Sequence, residues 1–274
     1  MTVEVEGGSG ATVETRPARA HLRVVVVIPC LDDADFLAVC LDALAHQTRR
    51  PDGVIVVDNG SRDASRDVAR RAGVTLAHEQ RRGIWPAAAR GYDVATRTAD
   101  VIARVDADSI PPVDWTERVA AVFEHEPRVD ALTGSAQFYG GNALVRYLGE
   151  HWYIGLMYKM LIPAWGQAPL FGSNFAMRTD LWLRMRTVVH RDSADVHDDL
   201  DMSILFPPDT WVEYDPTLAM PVSARPFATP AALGTRLHKA WTTFRVSWPA
   251  AAPWVKRGWG QRTTNRSRQR VRSS

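Results

Sequence analysis

Residues 24 to 28 read VVVVI, five β-branched residues in a row with no polar residue among them. Such a run presents apolar side chains on both faces and must be covered on both, which is the condition of a strand inside a parallel sheet. Phe36, Leu37, Cys40, Leu41 and Leu44 follow at helical spacing. Acids stand near the start of that helix, where the macrodipole favours them. GVIVVD (53 to 58) predicts a second strand and Asp63 to Ala72 a second helix. VTLAHE and ADVIARVD predict two more strands, with a helix between them that Pro86 begins. Pro111 and Pro112 then break the chain before a helix from Asp114 to about Glu124. Residues 22 to 125 thus read as βαβαβαβ, an open, doubly wound, mainly parallel α/β sheet.

Composition narrows what such a sheet could serve. Thirty-three Lys and Arg face 31 Asp and Glu in 274 residues, a formal charge of only +2, and this argues against a nucleic-acid partner. The charge is uneven: five aspartates lie between Asp192 and Asp201, while the tail from Lys256 onward is basic and free of acids. Cys30 and Cys40 suit buried, idle thiols in a reducing compartment better than a disulfide framework. The first 20 or so residues lack the order of a signal peptide and read as a disordered leader (1 to 21). No run reaches the ~18 apolar residues of a membrane-spanning helix. The expected location is cytoplasmic.

In doubly wound sheets ligands bind beyond the carboxyl ends of the strands. Strand one ends at Pro29-Cys30-Leu31-Asp32-Asp33, strand two at Asp58-Asn59-Gly60-Ser61, and the fourth at Asp106-Ala107-Asp108. Carboxylates converging on one rim repel unless a cation lies between them. Hard divalent ions such as Mg²⁺ or Mn²⁺ prefer oxygen ligands and commonly share a site with substrate phosphates. Taken alone, the Asp106 and Asp108 pair is better explained as a cap on the following turn, since Asp hydrogen-bonds its own backbone there.

Several stretches in order resemble the family 2 glycosyltransferases of the GT-A fold. VVVVIPCLDDADFLAVCLDALAHQTRRPDGVIVVDNGSRDAS looks like the family's opening, with Asp58, Ser61 and Asp63 matching its Asp-x-x-Ser-x-Asp element. RRGIWPAAARG and ARVDADS are similar to its Gly-rich segment and Asp-x-Asp motif. FGSNFAMRTDLW is similar to its acceptor-side element and HDDLDM to its catalytic element. The resemblance covers roughly residues 22 to 225. It implies a Rossmann-like GT-A domain there, with a nucleotide-binding half (22 to 125), an acceptor half (126 to 225) and a Trp-containing extension with a basic tail (226 to 274). It further implies an inverting transfer of sugar from a nucleoside-diphosphate sugar, with Mn²⁺ or Mg²⁺ as cofactor. Asp58 would contact the base, with Pro29, Cys30 and Asp32 around the same pocket and Gly83 in the Gly-rich segment. Asp108 would be the direct metal ligand and Asp106 a ribose or second metal contact. Gly172, Ser173 and Asn174 would wall the sugar or acceptor, and Asp199 would be the general base, beside Asp198 in place of the more usual Glu. Crowded acids at 195, 198, 199 and 201 are expected to raise one pKa among them. His197 and Arg178 are further candidates for diphosphate or for the acids, though each is also explained as a structural residue.

The chain departs from the family pattern in several places. Leu31 stands where an aromatic commonly covers the base, and Ala88 and Ala89 where Arg-Asn is usual. No clear Gln-x-x-Arg-Trp motif is found, so transfer of a single sugar is expected rather than processive synthesis. LVRYLGEHWYIGLMYKMLIPAW (144 to 165) is either an apolar acceptor groove or a helix packed on the sheet. Trp241, Trp248, Trp254 and Trp259 with the basic tail suggest peripheral contact with an anionic inner membrane face, and with it a lipid-linked acceptor as an alternative to a glycan or small molecule. Two other classes stay open: a non-catalytic nucleotide-binding scaffold and a metal-dependent phosphohydrolase.

Overall fold

The computed structural model describes residues 21–140, 158–159, 162, 167–225 and 230–247. Its first half alternates strand and helix: β1 (Val24–Cys30), α1 (Ala34–Ala45), β2 (Gly53–Asp58), α2 (Ser65–Arg71), β3 (Thr75–His78), α3 (Ile84–Ala95), β4 (Val101–Arg104) and α4 (Trp115–His125). All seven residues of β1 are buried, as the unbroken β-branched run requires. Along α1 the residues turned inward are Leu37, Cys40, Leu41 and Leu44. Two boundaries differ from expectation. α2 starts at Ser65 because the Asp63 carboxylate is spent outside it, accepting from the N–H groups of Ala34 at 2.9 Å and Ser65 at 2.9 Å. α3 starts at Ile84, so Pro86 sits inside its first turn, where a missing N–H breaks no helical bond.

Then come β5 (Ala131–Tyr139), β6 (Phe175–Arg178), α5 (Thr179–Met185), α6 (Asp198–Leu205), β7 (Val212–Ser223) and α7 (Pro230–Ser247). One seven-stranded sheet results, ordered β3-β2-β1-β4-β6-β5-β7. The pairs β1–β2, β1–β4, β2–β3 and β5–β7 are parallel, whereas β6 runs antiparallel to both β4 and β5. A doubly wound, mostly parallel sheet is thus present, and β4–β6 pairing makes it continuous across residue 125.

Three contacts set the site's surroundings. α3 lies hard against the sheet because Gly91 has no side chain: a Cβ there would stand 2.3 Å from Val27 Cγ1 and 2.9 Å from Val57 Cγ2. Gln47, buried at the end of α1, donates to the Pro112 carbonyl at 2.7 Å and accepts the Thr116 N–H at 2.9 Å, which caps α4 from a distant segment. α7 docks on α6 through the Thr243 hydroxyl, which accepts the His197 N–H at 2.8 Å, and Ser247, which donates to Asp201 at 2.7 Å.

Candidate active site

A cavity of about 350 Å³ opens where β1, β4 and β7 end. β2 and β3 lie to one side of β1 and β4 to the other, so the connections diverge and leave a crevice at this rim. Its lining includes Pro29, Cys30, Gly83, Asp106, Asp108 and Ser173 from the expected set. Gly83 is required by its backbone, at φ 137°, and its N–H donates to Asn59 Oδ1 at 2.8 Å. Both cysteines are free and buried, and burial pushes the Cys30 thiol up to about 11. Asp33, Asn59, Phe138, Phe171 and Ser223 line the same cavity and were not among the expected site residues. Phe138 and Ser223 come from β5 and β7, which lie far from the nucleotide motifs in sequence and meet them only through the sheet.

The Asp106 and Asp108 pair is asymmetric. Asp106 Oδ1 accepts from Arg104 at 2.8 Å and Oδ2 from the Ser173 hydroxyl. Each oxygen thus accepts one hydrogen bond from the protein and keeps further acceptor capacity on the cavity it lines. Asp108 faces the cavity, and its Oδ2 is 3.2 Å from Arg225 Nη2. Burial first, and then the Asp106 charge, push the Asp108 carboxyl up to about 6, against the pull of Arg225. An excess of buried negative charge, hard oxygen donors and a guanidinium already drawn to them fit a divalent cation at Asp108. Among the described residues no cluster of three or more His, Cys, Asp or Glu forms a cage. Such a site takes its remaining ligands from substrate phosphates and water.

Arg104 organises the acids and was missed. Only 1% exposed at the end of β4, it donates to Asp106 and to the buried Asp198. The signal was legible, since Arg104 and Asp106 are two apart in an extended stretch and share a face. Asp198 is thus corrected from catalytic neighbour to buried counter-ion. The expected crowd of carboxylates is dispersed as well. Asp201 is fully buried and accepts from Trp85 Nε1 at 3.0 Å, from the His190 N–H at 2.8 Å and from Ser247, while His190 Nδ1 lies 2.8 Å from its other oxygen. Asp195 is exposed. Asp199, at the start of α6 and half-buried, is tied to the segment beside the cavity: its Oδ2 accepts the Gly172 N–H at 2.9 Å, next to the lining residue Ser173. Gly172 stands behind the wall with Asp199 Oδ2 3.1 Å from where its Cβ would be.

Four other residues named from the sequence take the following places. Asn174 is fully buried, accepting from Trp115 Nε1 at 2.9 Å and donating to the Ser135 and Leu218 carbonyls, so it braces β5 to β7 and walls nothing. Arg178 points to the opposite end of the sheet, donating to the Val129, Phe123 and Glu126 carbonyls. Asp32, at φ 54°, turns back to accept the Arg62 N–H at 2.6 Å. Asp58 faces a neighbouring cleft of about 420 Å³ that it shares with Asn59, Arg62, Arg66, His78 and Arg82. Its Oδ1 accepts the Ser61 N–H at 2.9 Å and its Oδ2 lies 3.4 Å from His78 Nδ1. Burial would raise this carboxyl, but the bonds from Ser61 and His78 and the Arg66 charge hold it below the usual carboxylate range.

Most of the segment 144 to 165 lies outside the described residues. Tyr158 within it is 3% exposed, donates to the Gly134 carbonyl at 3.2 Å and stacks on Tyr214 with ring centroids 4.2 Å apart, so it packs on the sheet. Trp241 on α7 is 69% exposed, while Trp248, Trp254, Trp259, the basic tail and the leader lie outside the described residues. Among the described residues no helix is long and apolar enough to cross a membrane.

The sequence profile described as glycosyl transferase family 2 matches residues 25–182, which leaves Asp198 and Asp199 beyond the match. Glycosyltransferase AglE of Haloferax volcanii is 30% identical over 135 residues, 45% of this chain and 43% of that protein. A PGL/p-HBAD biosynthesis glycosyltransferase of Mycobacterium tuberculosis is 34% identical over 129 residues, 43% of this chain and 50% of the relative. The matched region thus spans about half the length of these relatives. In three dimensions the chain is similar to glucosyl-3-phosphoglycerate synthase from Mycobacterium tuberculosis in complex with Mn²⁺, UDP and phosphoglyceric acid, with TM-score 0.57 and 16% identity over 81% of this chain and 80% of the other. S. aureus TarS 1–349 in complex with UDP superposes with TM-score 0.58 and 14% identity over 78% of this chain and 64% of the other. At such identities the likeness is one of fold.

Proposed function

The chain belongs to glycosyl transferase family 2, and from that premise we propose that it is a metal-dependent, inverting glycosyltransferase moving one sugar from a nucleoside-diphosphate sugar to an acceptor hydroxyl. The observation that carries this is that Asp199 accepts the Gly172 N–H, one residue from Ser173, which lines the cavity together with Asp33, Asp106 and Asp108. A donor lying from Cys30 and Gly83 toward Asp108 would have its anomeric carbon on the Ser173 side. The acceptor oxygen attacks that carbon, the bond to the diphosphate oxygen breaks, and Asp199 takes the hydroxyl proton. Each Asp199 oxygen accepts one backbone N–H, from Leu200 and Gly172, which holds the carboxylate while lone pairs stay open for the acceptor. Asp108 would hold Mn²⁺ or Mg²⁺, which neutralises the charge that builds on the departing diphosphate. Uridine nucleotides are the first donors to try, because proteins of this fold carry UDP.

An amphipathic or lipid-linked acceptor is the class we favour, supported by the exposed Trp241 on the helix packed against α6. A chain that stays in the supernatant with anionic liposomes at low salt would argue against it. The reaction itself is tested by incubating the full chain with Mn²⁺, UDP-, GDP- and dTDP-sugars and a mixture of acceptors, and measuring nucleoside diphosphate release. One donor should give metal-dependent release. Asp199→Asn should lower it by about 10²- to 10⁴-fold with donor affinity unchanged. Release that persists in Asp199→Asn would remove the general base from this scheme.

A further inference from the structure

The cavity presents three carboxylates, Asp33, Asp106 and Asp108, and no Lys or Arg among the described residues that line it. A diphosphate cannot settle against such a wall without a cation. One is already at the mouth. Arg225, just past the end of β7, donates from Nη2 to Asp33 at 2.8 Å and to Asp108 at 3.2 Å. Its guanidinium carbon lies 3.9 Å from the centre of the Phe36 ring, and its side chain is 48% exposed. The guanidinium therefore ties three segments together across the cavity: the start of α1 through Asp33 and Phe36, the turn after β4 through Asp108, and its own at the end of β7.

We infer that Arg225 is a built-in competitor of the divalent ion, neutralising Asp33 and Asp108 while no donor is present and yielding Asp108 when metal and diphosphate arrive together. The inference rests on the reading above, in which Asp108 takes the metal. The half-exposed guanidinium shares Nη2 between two carboxylates, so it can let go of Asp108 while keeping Asp33, and its charge is fixed, because arginine does not deprotonate. A lone divalent ion must expel one cation to gain one carboxylate. An ion arriving with a diphosphate brings additional oxygen ligands and a second anion that the released guanidinium can meet. Arg225 would thus make metal binding depend on the donor.

The test is Mn²⁺ binding to the full, donor-free chain, followed by the electron paramagnetic resonance signal of the free ion. Arg225→Gln should bind Mn²⁺ about 5- to 10-fold more tightly than the unaltered chain. Arg225→Lys, which keeps the charge but loses the planar fork, should fall between them. The gain should vanish when Arg225→Gln is combined with Asp108→Asn. Equal or weaker binding by Arg225→Gln, with Asp108→Asn alone lowering affinity, would overturn the competition and leave the metal site standing. Mn²⁺ binding indifferent to Asp108→Asn would overturn both.

Discussion

Arg104 shows how much of this rim depends on one side chain. It is 1% exposed and serves Asp106 and Asp198 at once, which a planar guanidinium can do and an ammonium cannot do with the same geometry. Removing it leaves a buried carboxylate without its counter-charge, a change that costs about 3–5 kcal/mol in comparable pairs. Arg104→Leu should therefore lower the unfolding free energy measured in urea by that order, and Arg104→Lys by less. A midpoint equal to that of the unaltered chain would mean that Asp198 finds another partner. The motif order named the acids but was silent on their counter-ions. Asp199 and Asp198 are neighbours in sequence and part company in space, one toward the Gly172 N–H and the other toward Arg104.

Among the elements, α3 ties the site to the core. Gly83 starts it at the cavity, Trp85 reaches Asp201 on α6, and Gly91 lets the helix lie against Val27 and Val57. Trp85, Tyr92 and Trp182 pack together, with ring centroids 6.0 Å apart for Trp85 and Trp182 and 5.0 Å for Tyr92 and Trp182. Gly91→Ala would press a methyl group into β-branched side chains that cannot turn away, an overpacking that typically costs about 1–3 kcal/mol. Thermal unfolding should show the loss, and an unchanged Tm would mean the helix can lift from the sheet at no cost. The first four strands and the helices between them were legible because each carries its own periodicity. Pro86 and Asp63 shifted two boundaries for local reasons, a permissive first turn and a side chain engaged elsewhere.

At the scale of the whole molecule, the sheet brings the ends of β1, β4 and β7 together and leaves a cavity that a ligand can brace from both sides. A ligand that binds only the folded chain stabilises it by about 2.7 kcal/mol at one hundred times its Kd. UDP with Mn²⁺ should then raise Tm by about 5 to 10 °C, and chelating the metal should remove most of the gain. A shift from UDP alone that Mn²⁺ does not enlarge would count against a shared metal and diphosphate site. Local chemistry in the chain dictated the parallel strands, the helices between them and the acids at the strand ends, since β-branched runs, helical spacing and turn residues act over a few neighbours. The insertion of β6 antiparallel between β4 and β5, the meeting of Phe138 and Ser223 with Asp108, and the sorting of one acidic cluster into a buried counter-ion, a bracing hub and a carboxylate on the Gly172 N–H were decided by the tertiary structure. These depend on partners from 27 to 116 residues away, and a side chain's use follows from which partner it meets once the backbone has brought them together.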